Sequence, residues 1–269
     1  LDGGEPAKRC SNPAACYLFR SPARYAGRLA DAGFDAVSFA NNHARDFGEE
    51  GRSASMDAVA AHGIHHSGRD GDFAEWRDGD VHVALAAFAV TRNSNSMLEL
   101  AQATERVDEL AARNDLVIVS FHGGAEGLDA LHLPFAEETY YDEPRGDVVR
   151  FARSMVDAGA DLVFGHGPHV VRAIERYRGR LIAYSLGNFA TYYGISVAGL
   201  KGVAPVLEAT VDRDGRFLRG RLHSTEQIRP AGPTFDAGQR ALDWIRRLSI
   251  ADLGDPGLKF GPDGELTPD

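Results

Sequence analysis

The stretch Asp161–Phe189 reads DLVFGHGPHVVRAIERYRGRLIAYSLGNF. It opens on an apolar run, Leu162-Val163-Phe164, of the kind that forms a buried strand. The run stops at Gly165-His166-Gly167-Pro168-His169. Two glycines and a proline there predict the end of regular structure, with both imidazoles on a tight loop. A second apolar run, Leu181–Leu186, stops at Gly187-Asn188. Two histidines on a glycine-bounded loop after a strand suit metal binding: the loop can turn both rings toward one point, and neutral imidazole is a common ligand. Taken alone, the stretch also reads as a polar turn with two solvent-facing histidines.

The same unit recurs upstream. Ser21–Gly33 has a cap, a proline in the first turn and a glycine stop, which predicts a helix. Phe34–Ala40 predicts a strand ending at Asn41-Asn42-His43, and the loop continues through Arg45, Asp46 and Gly48 to a helix over Ser53–His62. A strand over Val81–Val90 and a helix over Leu98–Arg113 follow. Asp115–Phe121 is then a buried strand running straight into His122-Gly123-Gly124-Ala125-Glu126, and Asp147–Ala158 reads as a helix. Alternating strands and helices predict an α/β fold with helices packed on a sheet. In such sheets ligands gather outside the carboxyl ends of the strands. Asn42, His43, His122, Glu126, His166 and His169 all sit at those ends.

Beyond Gly199 the pattern changes. Ala204–Val211, Asp212–Gly215 and Arg216–His223 read as a β-hairpin with an Asp-Gly turn. A helix over Phe235–Leu248 and a Gly/Pro-rich tail over 254–269 complete the chain. No linker divides it, so a single domain over 1–269 is expected.

Composition excludes some functions. The formal charge of -10 argues against a general nucleic-acid binder, which needs a basic face. No apolar run approaches the length of a membrane span. Leu1 is not a start methionine, which leads to the expectation that the chain was processed or lacks its first part. Cys10 and Cys16 read equally as a disulfide closing a small ring or as two free thiols.

Four histidines, an amide and a carboxylate without thiolates favour Zn, Mn or Fe. Such an ion polarises a phosphoryl or carbonyl oxygen and activates water, while a non-ligating histidine can protonate the leaving group. Each residue has a plainer reading: His43 as a surface histidine, Asn42 as a left-handed turn residue, His122 as a hydrogen-bonded structural histidine, Glu126 as a solvated acid. His132, in the long loop after His122, is placed to reach a substrate. Ser185-Leu186-Gly187-Asn188 lacks the Gly-x-Ser-x-Gly elbow of serine hydrolases.

ANNHARDFG (40–48), FHGGAEG (121–127), GADLVFGHGPHVVRAIE (159–175) and RLIAYSLGNF (180–189) together resemble the CapA family of poly-γ-glutamate capsule synthesis proteins, within the calcineurin-like metallophosphoesterase superfamily. The resemblance spans nearly all of Cys10–Leu253. It implies a four-layer α/β/β/α sandwich with divalent metal at the strand ends. It implies that Asn42, His122, His166 and His169 are metal ligands, that His43 is the general acid, and that Asp46 orients it. Glu126, Glu175 and Asn188 are implied as ligands or as groups behind them. Family members begin with a strand carrying a Gly-Asp pair and then an Asn-x-Glu segment. Both would precede Leu1, so the resemblance implies that the N-terminal strand is missing and that half of a two-metal site is present. Gly167 stands where many relatives have a third histidine. Two functions follow from the resemblance: a metal-dependent hydrolase of a phosphoester or related cell-envelope substrate, or a non-catalytic accessory binding an anionic polymer or a membrane ligase. The resemblance implies partners in poly-γ-glutamate synthesis or export for the accessory reading; many relatives are exported, and export of this chain, to the periplasm, cell surface or medium rather than retention in the cytoplasm, would favour the Cys10–Cys16 disulfide.

Overall fold

A computed structural model of the chain describes residues 17–191 and 193–269; Cys10 and Cys16 lie outside them. The chain enters through helix α1 (Ala26–Asp31) and a parallel pair, β1 (Ala36–Ser38) and β2 (His65–Ser67), joined by α2 (Gly48–Ala60). Ala26, Val59 and Ile64 form the small core between them. The Ser67 hydroxyl accepts from Ala87 N (3.0 Å) and donates to Asp72 O (2.8 Å), which ties this unit to the strand that carries Ala87.

The large sheet follows the alternation expected from sequence. Its strands are β3 (Ala74–Asp78), β4 (Val81–Ala89), β5 (Asn95–Ser96), β6 (Leu116–His122), β9 (Leu162–His166), β10 (Ile174–Tyr177) and β11 (Arg180–Ala183). A short antiparallel pair, β7 (Glu138–Tyr140) and β8 (Glu143–Gly146), lies in the connection after β6. The order is β10-β11-β9-β6-β4-β3 with β5 beside β4. The centre, β11-β9-β6-β4, is parallel, and antiparallel strands β10 and β3 close the edges. Side chains alternate between two cores, as the two-residue period of a strand requires. Val117, Val119, Val163 and Ile182 face one core with α3 (Leu100–Ala111) and α4 (Val148–Asp157). Leu162, Leu181 and Ala183 face the other. Asp147 caps α4, its Oδ1 accepting from Arg150 N at 2.9 Å.

The strand after Leu162 runs two residues further than its glycine suggested, through Gly165 to His166. A Cβ at Gly165 would stand 2.2 Å from Tyr184 O and 2.4 Å from Phe121 Cζ. Here glycine admits close strand and ring contact instead of breaking the strand.

The second sheet is antiparallel: β12 (Val203–Val211), β13 (Phe217–Ile228), β14 (Gly232–Phe235), β15 (Leu258–Phe260) and β16 (Glu265–Pro268). The residues expected to form a tail are therefore two of its strands. Leu258 and Leu266 are buried against Phe217 and Leu222. Helix α5 (Arg240–Leu253) places Leu242 and Ile245 in the core between the sheets, and Leu242 N donates to Ser224 Oγ (3.1 Å). At its other end Ser249 Oγ accepts from Ile174 N (2.8 Å) on β10. The opposite face of β13 carries Arg219, Arg221 and His223 into solvent. The result is a mixed α/β protein with a mixed central sheet, a helical layer on one side and a second sheet on the other.

Candidate active site

Strands β6 and β9 are parallel and in register, so their last residues, His122 and His166, are direct neighbours across the ladder. Gly123 N donates to His166 O (2.9 Å), which carries the pairing past the strand end. Burial, above all, holds the His122 imidazole well below its ordinary pKa, and the charges of Arg145, His166, His169 and His43 push the same way. His166 is half-buried, and burial pushes its pKa down to about 4. Both rings are neutral at pH 7, the state that can ligate. His122 Nε2 is buried and has no hydrogen-bond partner among the described residues.

After β9 the chain turns sharply. Gly167 takes φ +119°, and a Cβ there would lie 2.6 Å from Gly123 O, so the segment leaves no room for a side chain. His169 follows at φ +58°. Its Nδ1 is 2.8 Å from Asn188 Oδ1. The amide nitrogen of Asn188 donates to His169 O (3.1 Å) and Lys201 O (3.0 Å), so its oxygen must accept and His169 Nδ1 carries the proton. That leaves His169 Nε2 with a free lone pair, 3.8 Å from Glu126 Oε2.

The turn after β1 presents His43. Asn41 Oδ1 accepts from His43 N (2.8 Å) in an Asx turn. Buried Asp46 directs Oδ2 to His43 Nδ1 (2.9 Å) and to Phe19 N (2.9 Å), and the Phe19 ring packs edge-on to the imidazole with centroids 4.5 Å apart. His43 Nε2 has no hydrogen-bond partner among the described residues. Asn42 beside it has no partner for its amide among the described residues, and it borders two clefts. One, of about 630 Å³, is also lined by His43, Glu126, Tyr140, Tyr141, Arg145 and His169. The other, of about 350 Å³, is lined by Arg45, Asp46, Thr91 and Arg92.

Sequence reasoning missed what holds the Glu126 loop. Arg172, fully buried, donates to both oxygens of Glu138 (2.9 and 2.7 Å) and to Ala130 O (2.6 Å), while Ala125 N donates to Glu138 Oε2 (2.9 Å). Arg145, on β8, donates through Nε to Gly124 O (2.9 Å) and lies 3.0 Å from Glu126 through Nη2. The one legible signal was Arg172 itself, a charge inside the apolar run HVVRAI, which demands a buried partner.

Two candidates fall away. Glu175 accepts from Arg153 Nε (2.9 Å) and Nη2 (2.7 Å) and from the Tyr184 hydroxyl, on the α4 side of the sheet. It pairs with Ile182, which pairs with Val163, three residues short of His166, so it cannot reach the strand ends. His132 turns its Nδ1 to Asp252 of α5 (2.5 Å) and is not among the cleft residues.

The nitrogen donors suit a divalent ion: orphaned His122 Nε2, and His169 with its other nitrogen held by an amide. Among the described residues, however, no three His, Cys, Asp or Glu side chains converge closely enough to hold one. The donor chemistry is present; a complete coordination set is not.

Comparison with known proteins agrees with the capsule-synthesis motifs. The model of the family described as bacterial capsule synthesis protein PGA_cap matches residues 4–193. A PGA biosynthesis protein CapA from Bacillus subtilis is 29% identical over 178 residues, 60% of this chain and 43% of that protein. A probable polyglutamine synthesis accessory protein from Mycobacterium tuberculosis is 31% identical over 183 residues, 58% of this chain and 45% of that protein. The chain thus spans less than half the length of these curated relatives. Among solved structures, a putative 5'-nucleotidase from Staphylococcus aureus superimposes with a TM-score of 0.46 at 12% identity, covering 84% of this chain and 44% of that one.

Proposed function

We propose that this chain, which belongs to the PGA_cap family of bacterial capsule synthesis proteins, uses the cleft beside His43 for hydrolysis of a phosphoester or related cell-envelope substrate. The observation that carries this reading is the His43–Asp46 pair. A buried carboxylate fixes Nδ1 and leaves Nε2 free at the wall of a cleft of about 630 Å³. An imidazole held in this way can, when protonated, donate from Nε2 to a departing oxygen, and Asp46 stabilises the imidazolium. Asn42, His122, His166 and His169 are the donors on which a divalent ion, Mn, Zn or Fe, would draw to activate water. Because the described residues do not close its coordination, the step argued here runs through His43 alone.

The test is a panel of chromogenic phosphomonoesters and phosphodiesters, assayed with Mn, Zn or Fe. His43→Gln should lower turnover by about 10²–10⁴-fold, the usual contribution of a positioned acid. Equal rates in His43→Gln and the parent chain would refute the assignment.

The accessory reading is favoured by one observation, the open coordination set. In that reading the same cleft binds an anionic polymer or a ligase partner without turnover. Polymer binding with no hydrolysis of any substrate in the panel would select it. The accessory reading would set the protein beside partners of capsule polymer synthesis or export, and we propose export from the cytoplasm, which cell fractionation checks.

A further inference from the structure

Arg145 and Arg172 both brace the loop of residues 124–130, but they differ in how fully their donors are used. Arg172 meets two carboxylate oxygens and two carbonyls. Arg145 is nearly as buried, its side chain 3% exposed, yet it makes one hydrogen bond, from Nε to Gly124 O. Its Nη2 is buried and without a hydrogen-bond partner among the described residues. Glu126 Oε1 lies 3.0 Å away but too far off the N–H direction to accept. Burying an unmet guanidinium donor is costly, and such a group needs a reason. Arg145 lines the same cleft as His43 and His169. Lys201, also on its wall, has no ion-pair partner among the described residues, and Glu126 and Glu143 are the acids facing them.

We infer that Arg145 is the anion-binding residue of this cleft. The guanidinium of this cleft-lining side chain receives an oxyanion, a phosphoryl or carboxylate group of the ligand, with Lys201 as an auxiliary charge. Arg145 suits that task because a planar guanidinium already fixed at Nε by Gly124 O presents its remaining N–H groups in a set direction. Tyr140 and Tyr141 on the same wall supply apolar surface for the body of the ligand. The inference rests on the cleft being the functional site proposed above, but it concerns binding and not turnover.

Calorimetric titration of the chain with inorganic phosphate and with acetate, in a chelator so that no metal contributes, tests it. The parent chain should bind at least one of them, and the tighter of the two assigns the group as phosphoryl or carboxylate. Losing a charge-assisted bond should weaken Arg145→Gln by about 10–100-fold. Arg145→Lys, which keeps the charge but not the fork, should be weakened severalfold, and Lys201→Ala less than Arg145→Gln. Thermal melts confirm folding, and if Arg145→Gln does not fold, Arg145→Lys and Lys201→Ala decide. Parent-like affinity in the Arg145 variants, or no binding of either anion by the parent chain, overturns the inference. Neither result touches the His43 assay, so the two readings fail separately.

Discussion

Replacing Glu138 with alanine removes the carboxylate that faces the buried guanidinium of Arg172. Three hydrogen bonds go with it: Arg172 Nη1 to Oε1 (2.9 Å), Arg172 Nη2 to Oε2 (2.7 Å) and Ala125 N to Oε2 (2.9 Å). Arg172 keeps only the carbonyls of Ala130 and Ala125, at 2.6 and 3.3 Å. No water reaches the charge, because the Arg172 side chain is 0% exposed. A buried ion left without its partner costs about 3–5 kcal/mol, so Glu138→Ala should destabilise the chain by that amount. Glu138→Met combined with Arg172→Leu removes the charge altogether and should recover part of the loss. The residue of the cost is the freed carbonyls and the freed amide of the 125–130 segment, at about 1 kcal/mol each. Urea unfolding followed by far-ultraviolet circular dichroism of the parent, Glu138→Met, Arg172→Leu and the double closes the cycle, with Glu138→Ala measured beside it. A coupling of at least about 2 kcal/mol between the sites is expected, since residues in one buried network do not act additively. A cost below about 1 kcal/mol for Glu138→Ala, or singles that simply add in the double, would refute this account of the pair.

Two further outcomes follow from the same geometry. Burial depresses the pKa of His166 to about 4 and that of His122 well below its usual value, so the unfolded chain binds more protons than the folded one below about pH 6.5. Stability of the metal-free chain should therefore be fully present above that pH and fall as the pH drops toward 4. Each histidine contributes a slope of up to about 1.4 kcal/mol per pH unit. Urea midpoints that stay flat from pH 7 to pH 4.5 in a His122→Gln/His166→Gln variant but not in the parent would support this; equal slopes in both would contradict it. Gly165→Ala should cost about 1–3 kcal/mol or more, because its Cβ would collide with the Tyr184 carbonyl at 2.2 Å and with the Phe121 ring. A melting temperature equal to that of the parent would show that β9 and the segment just after β11 can separate.

The local part of this protein was legible in its residues. Apolar runs such as Leu116–Phe121 and Leu162–Phe164 read as interior strands, and Asp147–Ala158 reads as a helix, as the structure has them to within a residue or two. From those strands it followed that His122 and His166 stand at strand ends, and the loop motifs resembled the capsule-synthesis family to which the family model assigns the chain. Pairing was not legible, because register depends on contacts between residues far apart in sequence. Only the folded sheet makes His122 and His166 neighbours and strands Glu175 three residues short, tied to Arg153 and Tyr184. The same holds for the C-terminal segment, whose glycines and prolines read as a tail. They turn a hairpin whose Leu258 and Leu266 are buried only because β13 and the large sheet lie opposite. Charges hid the rest. Arg145 and Glu138 look like solvated residues in a polar loop, and Arg172 inside HVVRAI signals a buried partner without naming it, because a charge shows its purpose only when its surroundings are known to be dry. The residue types at the site were determined by the sequence alone. Which of them meet, and which buried donor is left unmet, was decided by the tertiary structure, because burial and partnership are properties of the packed chain.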